Sequence, residues 1–416
     1  MTTLIINIEQ LINTREHCHI LRGEELAILP AIENAYLLVE DGIITDYGNM
    51  YELGLKIPSL PKNTIDAAGR FVLPAWCDSH THLVFGSGRE NEFVDKIKGL
   101  SYAEIAARGG GILNSAKKIK ELTEDALFDV SWKRMEEIAR LGTGSVEIKS
   151  GYGLSVEGEL KMLRVIKKLG EKSSLQVRST FLGGHTYPLE YKEDHQGYID
   201  LIVNEMLPVI AAEKLADYID VFCENGFFSP EETEAICRAG MAYGLRPKLH
   251  VNQLGSIGGI EVGIKTGALS LDHLETLTDN EITLLSGDDW KGLCTLLPGA
   301  AFFLRMPFQP ARRLIDAGCA IALASDFNPG SSPSGNMNLV VSMSCIQMRM
   351  LPEEAINAAT INGAFAMELG ETTGSITIGK KANLIFTKLI PSLAYLPYSF
   401  GSNLVDQVMI NGVFIN

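Results

Sequence analysis

The chain has 416 residues, 46% of them hydrophobic, and its 51 acidic against 36 basic residues leave a net charge of −15. That length is enough for a barrel-sized core with material to spare. Basic runs no longer than KKIK at 117–120 and KK at 167–168 exclude nucleic acid as the expected partner.

From the N-terminus, MTTLIINIEQLINTR has no basic lead and is broken by Asn7 and Glu9, so it does not read as a secretory signal. No later segment approaches the ~18 apolar residues that span a bilayer. In AYLLVEDGIITDYG the pair Asp41-Gly42 sits between alternating apolar residues, a hairpin signal. Eight apolar β-like runs follow, each ending in polar or glycine residues: 71–82, 144–153, 176–185, 218–226, 246–253, 268–275, 292–299 and 319–330. Between them lie stretches of helical periodicity such as 156–172 and 229–244. The latter opens with Ser229 as N-cap, Pro230 at the first helical position and Glu232 three after the cap.

Strand–helix alternation repeated eight times predicts an α/β fold, a (β/α)8 TIM-like barrel over residues 71–372. The C-terminal stretch is again β-rich, with GSITIGKKANLIFTK (374–388) and the Asn411-Gly412 turn of QVMINGVFIN. Residues 1–70 and 373–416 are therefore expected to join into one small β-sandwich domain, since each alone has little core. GGG at 109–111 follows a helical pattern and reads as a hinge or loop, not as a dinucleotide fingerprint. The seven cysteines show no C-x-x-C spacing. Cys77, Cys223, Cys294 and Cys319 lie in apolar strand-like context and read as buried free thiols, as in a cytoplasmic protein.

In a barrel of this kind the C-terminal strand ends form the reactive face. His80, His82, Lys149, His185, Glu224, His250, His273 and Asp326 all fall at or near such ends. His80 and His82 sit two apart, so both imidazoles point the same way from one strand and can grip one ion. With His250 and Asp326 they make a set of three nitrogens and one carboxylate that leaves a position open for water. Asp326 can also take a proton from that water, and His273 can hydrogen-bond the nucleophile or the developing oxyanion.

HTH followed by GSGRENEF, then GGGI, EIKSGYGLSVEGELKMLRVIKKL, DVFCENGFFSPEETE, the His250 segment with GGIE, GALSLDHLE, TLLPGAAFFLRMP and ASDFNPGSSP resemble the imidazolonepropionase family of the amidohydrolase superfamily. The resemblance runs over nearly the whole chain. It implies a metal-dependent hydrolase that opens the ring of 4-imidazolone-5-propanoate to N-formimidoyl-L-glutamate in histidine degradation, with one zinc or iron ion and a homodimeric assembly. Such a substrate is small and anionic. Arg89, seven residues after His82, can hold its carboxylate bidentately or merely pair with Glu90 or Glu92; the resemblance favours the first. It also implies substrate contacts for Tyr152, between two glycines, and for His185. Asn328, Gly330 and Ser331 precede Ser332-Pro333, which reads as a helix start whose free N–H groups would seat a carboxylate. Their family counterparts contact that tail.

The chain departs from the family where His-Ala-Asp-Glu or His-Ala-Asp-Gln is replaced by His250-Val251-Asn252-Gln253. Gln253 can orient the ring but cannot shuttle a proton, so proton transfer falls to Asp326, His273 or water, and Asn252 is expected to remove a charge near the ion. The fourth strand ends in Glu224 and not in a bridging lysine, which predicts a single metal. Two alternatives stand beside this expectation. One is an aromatic deaminase using the same ion chemistry; the other is a catalytically silent scaffold, whose usual mark would be lost ligands.

Overall fold

Alternation of apolar and polar residues in the first seventy positions builds strands β1 (Thr2–Ile12), β2 (Ala31–Glu40), β3 (Ile43–Asn49), β4 (Asn63–Asp66) and β5 (Phe71–Pro74). The computed structural model describes residues 1–100 and 110–415. The sequence predicts one strand over 71–82. The chain instead breaks after Pro74, a residue without an N–H for a continuing ladder, and the Ala75 N–H donates to Asn383 O at 2.9 Å. Phe71–Pro74 stays in the terminal sheet, and β6 (Trp76–Thr81) starts the barrel.

Each of the eight predicted runs contributes a barrel strand. After β6 come β7 (Thr143–Lys149), β8 (Gln176–Gly184), β9 (Tyr218–Cys223), β10 (Arg246–Val251), β11 (Ser270–His273), β12 (Leu293–Leu296) and β13 (Ile321–Leu323). They lie side by side in chain order, all parallel. The ends of the series are stitched together just past β13: the Asp326 N–H donates to His80 O at 3.0 Å and the His82 N–H to Phe327 O at 2.9 Å. Thus the first and last strands meet where the candidate ligands sit.

The helices start where the sequence signals them. Ser155 caps Val156–Lys172 by accepting from the Gly158 N–H. Ser229 and Glu232 exchange capping-box bonds of 3.2 and 2.7 Å ahead of Pro230–Ala242. At the C-terminus β14 (Leu384–Thr387), β15 (Val405–Ile410) and β16 (Val413–Phe414) join β5 to complete one mixed eight-stranded sheet. Both predicted hairpins form. Asp41-Gly42 (φ 48° and 82°) and Asn411-Gly412 (φ 49° and 76°) take the left-handed conformation that a two-residue hairpin requires. Their tips touch: a Cβ on Gly412 would lie 2.7 Å from Gly42 Cα, so glycine is needed for the two chain ends to pack. All seven cysteines are free, and Cys77, Cys223, Cys294 and Cys319 are buried. Among the described residues no helix is long and apolar enough to cross a membrane.

Candidate active site

His80 lies on β6, His82 just beyond it and His250 on β10. One ring nitrogen from each gathers within 4.8 Å of the others. His82 Nε2 and His250 Nε2 are 3.3 Å apart, and Asp326 Oδ1 is 3.6 Å from the Nε2 atoms of both His80 and His82. Burial above all, with neighbouring imidazoles and Lys149 adding to it, pushes all three histidines well below the ordinary imidazole range, so each keeps a lone pair at neutral pH. His80 Nε2 is buried without a hydrogen-bond partner. A buried acceptor of that kind is costly unless something electropositive meets it. Three imidazoles and a carboxylate around one point are the donor set of a single divalent ion, and the residues fit it.

Beneath this cluster lies a charge network absent from the sequence expectation. The His80 Nδ1–H donates to Asp272 Oδ2 at 2.6 Å and the His250 Nδ1–H to Asp220 Oδ2 at 2.9 Å. That fixes both tautomers with Nε2 pointing at the shared centre. Lys149 Nζ reaches Glu147 (2.6 Å), Asp220 (2.8 Å) and Asp272 (3.6 Å), while Lys248 reaches Glu147 at 2.5 Å. All five are fully buried. Burial alone would lower the Lys149 pKa, but Asp220, Glu147 and Asp272 together raise it. A signal was present: Glu147/Lys149, Lys248/His250 and Ser270/Asp272 are polar pairs spaced two apart inside apolar strands, the spacing of residues sharing the barrel interior.

His273 (φ 86°) and Asp326 (φ 52°) both hold left-handed backbone, the kind of strain that clusters at functional sites. His273 Nδ1 lies 3.2 Å from Glu275 Oε1. Burial lowers the His273 pKa, but the charge and hydrogen bond of Glu275, with Asp326, raise it overall. Burial pushes Asp326 up to about 7, against the pull of His273.

Above the cluster opens a cavity of about 1040 Å³. Its wall contains His82, His250, His273, Asp326, Arg89, Tyr152, His185, Gln253, Asn328, Gly330 and Ser331, every predicted site residue except His80, which lies deeper. Arg89 pairs with Glu92, one of the two partners the sequence offered, and also lines the cavity. Its Nε is 3.2 Å from Glu92 Oε2, and its guanidinium lies so close over Gly330 that a Cβ there would stand 2.0 Å from Nη2. The His185 Nδ1–H donates to Gly151 O at 3.0 Å, and burial lowers the ring's pKa to about 4, leaving a neutral imidazole with Nε2 free. Burial raises the Tyr152 phenol, which keeps its proton to donate. The loop carrying Tyr152 is held by buried Glu159, which accepts from the N–H groups of Gly151, Gly153 and Leu154 at 3.0, 2.7 and 3.1 Å. Phe302 and Phe303, from helix Pro298–Leu304, form an apolar rim that the sequence reading did not assign.

Three expectations need correction. Ser332-Pro333 does not start a helix: Ser332 Oγ donates to Ser325 O at 2.8 Å, and the helix begins at Met337 with Asn336 as its cap. The Gly330 and Ser331 N–H groups are not free either, because both donate to Asn328 Oδ1 at 2.8 Å. Asn252 does not face the ion site. Its φ of 54° turns the amide away, to donate to Thr276 O (2.8 Å) and Glu281 Oε1 (2.7 Å). Glu224 accepts from the N–H groups of Asn225, Leu254 and Gly255 and so clamps a loop. Of the glycine run, Gly109 lies outside the described residues; Gly111 caps helix Ile112–Glu121, and its N–H donates to Glu92 Oε1 at 3.1 Å.

The profile of the amidohydrolase family matches residues 224–415. A protein of Flavobacterium johnsoniae named imidazolonepropionase is 57% identical over 417 residues, covering 100% of both chains. One of the same name from Christiangramia forsetii is 55% identical over 418 residues, again at full coverage. Among solved structures, guanine deaminase from E. coli superposes with a TM-score of 0.76 at 14% identity, covering 100% of this chain and 99% of that one. An adenosine deaminase from Xanthomonas campestris with bound zinc gives 0.71 at 16% identity, covering 99% and 92%. At those identities the two deaminases show a shared fold.

Proposed function

The chain belongs to the imidazolonepropionase family of the amidohydrolases, and from that premise we propose that it hydrolyses the ring amide of 4-imidazolone-5-propanoate to N-formimidoyl-L-glutamate in histidine degradation. His80, His82, His250 and Asp326 would hold one zinc or iron ion, either of which suits nitrogen and oxygen donors. Such an ion would supply Lewis acidity, polarising a carbonyl and making water more acidic.

The chain's own groups do the rest. Arg89 takes the propanoate, Tyr152 donates from its phenol and His185 accepts at Nε2. Gln253 orients the ring. Asn328, Gly330 and Ser331 shape the wall at the tail, with Ser331 Oγ 3.5 Å from Asp326 Oδ2. Asp326 accepts the proton of the attacking water and returns it to the ring nitrogen as the C–N bond breaks. His273, steadied by Glu275, donates to the oxygen on which charge develops. The absence of a nucleic-acid partner accords with the net charge of −15, against which a small anionic substrate needs local cations such as Arg89; no membrane partner is proposed. Cytoplasmic location accords with seven free cysteines, and a homodimer is the habit of the fold family.

The observation that carries this proposal is that the His80–His82–His250 cluster and Arg89 serve one cavity. A ring-opening assay on freshly generated imidazolone propanoate tests it. Wild type should turn the substrate over, and Arg89→Ala should lower kcat/KM ten- to a hundredfold, roughly 1.5–3 kcal/mol for a charged hydrogen bond. No turnover by wild type, or deamination of a neutral purine or pyrimidine in its place, would refute it.

A further inference from the structure

We propose that Lys96 is the cation that selects an anionic tail in this cavity, with Arg89 as its geometric partner; the inference rests on the substrate class proposed above. Arg89 is the N-cap of helix Glu90–Ile97, and Lys96 follows seven residues, about two turns, later on the same face. Both converge on Gly330: the Arg89 guanidinium packs over its Cα, and Lys96 Nζ donates to its carbonyl at 3.2 Å. Both also line the cavity.

Their electrostatic positions differ. Arg89 already faces the Glu92 carboxylate, whose other oxygen accepts from the Gly111 N–H and from Asn114 Nδ2 at 3.1 and 3.3 Å. Its charge is therefore partly neutralised. Lys96 has one hydrogen bond among the described residues, to a neutral carbonyl, which leaves two of its three N–H bonds unspent. Its ammonium lies 5.9 Å from the centroid of the Phe303 ring, on the apolar rim. There an anion is attracted more strongly than in open water. Burial lowers the Lys96 pKa, and repulsion from Arg89 lowers it further; a carboxylate seated between the two cations relieves that repulsion.

The loop geometry favours such a cation. Asn328 consumes the Gly330 and Ser331 N–H groups, so neither is free for a carboxylate. Side chains then supply the charge, and Arg89 and Lys96 against the Glu92 carboxylate leave one positive charge in excess.

Calorimetric titration of the metal-loaded protein with imidazole-4-propanoate and with the neutral imidazole-4-propanamide tests the assignment. Wild type should bind the acid at least about tenfold more tightly than the amide, and Lys96→Met should erase most of that preference, the worth of one charge-assisted hydrogen bond. Lys96→Arg should keep it, and the thermal midpoint should be the same in all three. A mere tether to Gly330 would weaken both ligands equally and leave the ratio intact. Retained discrimination in Lys96→Met, equal weakening of both ligands, or no preference in wild type overturns the proposal. Because the readout is binding, a wild type that discriminates yet never opens the imidazolone ring would sink the assigned reaction and leave the anion seat standing.

Discussion

At Gly330 one missing methyl group decides where a guanidinium lies. A Cβ there would stand 2.0 and 2.4 Å from Arg89 Nη2 and Cζ, the mobile end of a long side chain and not backbone. Gly330→Ala should therefore displace Arg89 without unfolding the protein: KM for the imidazolone rises about tenfold, the loss expected for one misplaced charged contact, while the melting temperature stays put. A variant with unchanged KM would show that Arg89 does not touch substrate in this pose. The carboxylates behind the histidines make a second case. Asp220→Asn or Asp272→Asn should weaken metal affinity by roughly ten- to a hundredfold, because the Nδ1–H loses its anionic acceptor; competition with a chromophoric chelator measures it. The convergence of His80, His82, His250 and Asp326 was legible because side chains at strand ends follow the two-residue period and the loop grammar of a barrel. Asp220 and Asp272 were not, since Asp220 meets His250 from the neighbouring strand and Asp272 meets His80 across the barrel, which one strand cannot reveal. Asn252 was misplaced for a related reason: its backbone leaves the strand with positive φ, and alternation no longer tells where the side chain goes.

Among elements, the helix start was read correctly where cap and first turn share one local signature, as at Ser229. Ser332-Pro333 carries the same letters but forms a turn, because Ser332 is drawn to Ser325 across the loop, a tertiary bond outranking a local propensity. Helix Asp279–Ser286 offers a test of how loops are pinned to elements. Glu281, nearly fully buried, accepts from Thr278 N and Oγ (2.7 and 2.8 Å), from Ser256 Oγ (2.6 Å) and from Asn252 Nδ2 (2.7 Å). Burial would raise its pKa, yet these donors lower it overall. A carboxylate depressed in the folded state contributes stability above its unfolded pKa of about 4.3, and that contribution is lost as pH falls through the lower folded value. Glu281→Gln should thus cost about 1.5–3 kcal/mol at pH near 7, with the gap to wild type closing in acid. Urea melts at several pH values would show a pH-independent gap if the carboxylate's charge were irrelevant.

At the scale of the whole molecule, the barrel brings β6, β10 and the segment after β13 together at one rim, and the terminal sheet closes on itself through two glycine hairpins. The eight-fold alternation and the β character of both ends were visible in the sequence. The break at Ala75 was not, because a continuous apolar run looks the same whether it serves one sheet or two. What the architecture achieves is convergence: His82 and His250 bring their Nε2 atoms to 3.3 Å, and Asp326 Oδ1 lies 3.6 Å from the Nε2 of both His80 and His82, although the chain separates these residues by up to 246 positions. Elemental analysis of protein purified from metal-supplied cells, wild type beside His250→Ala, tests that convergence most directly. One equivalent of zinc or iron per wild-type chain and essentially none in the variant is the expected result. A wild type holding none, or a variant retaining its full equivalent, would contradict it.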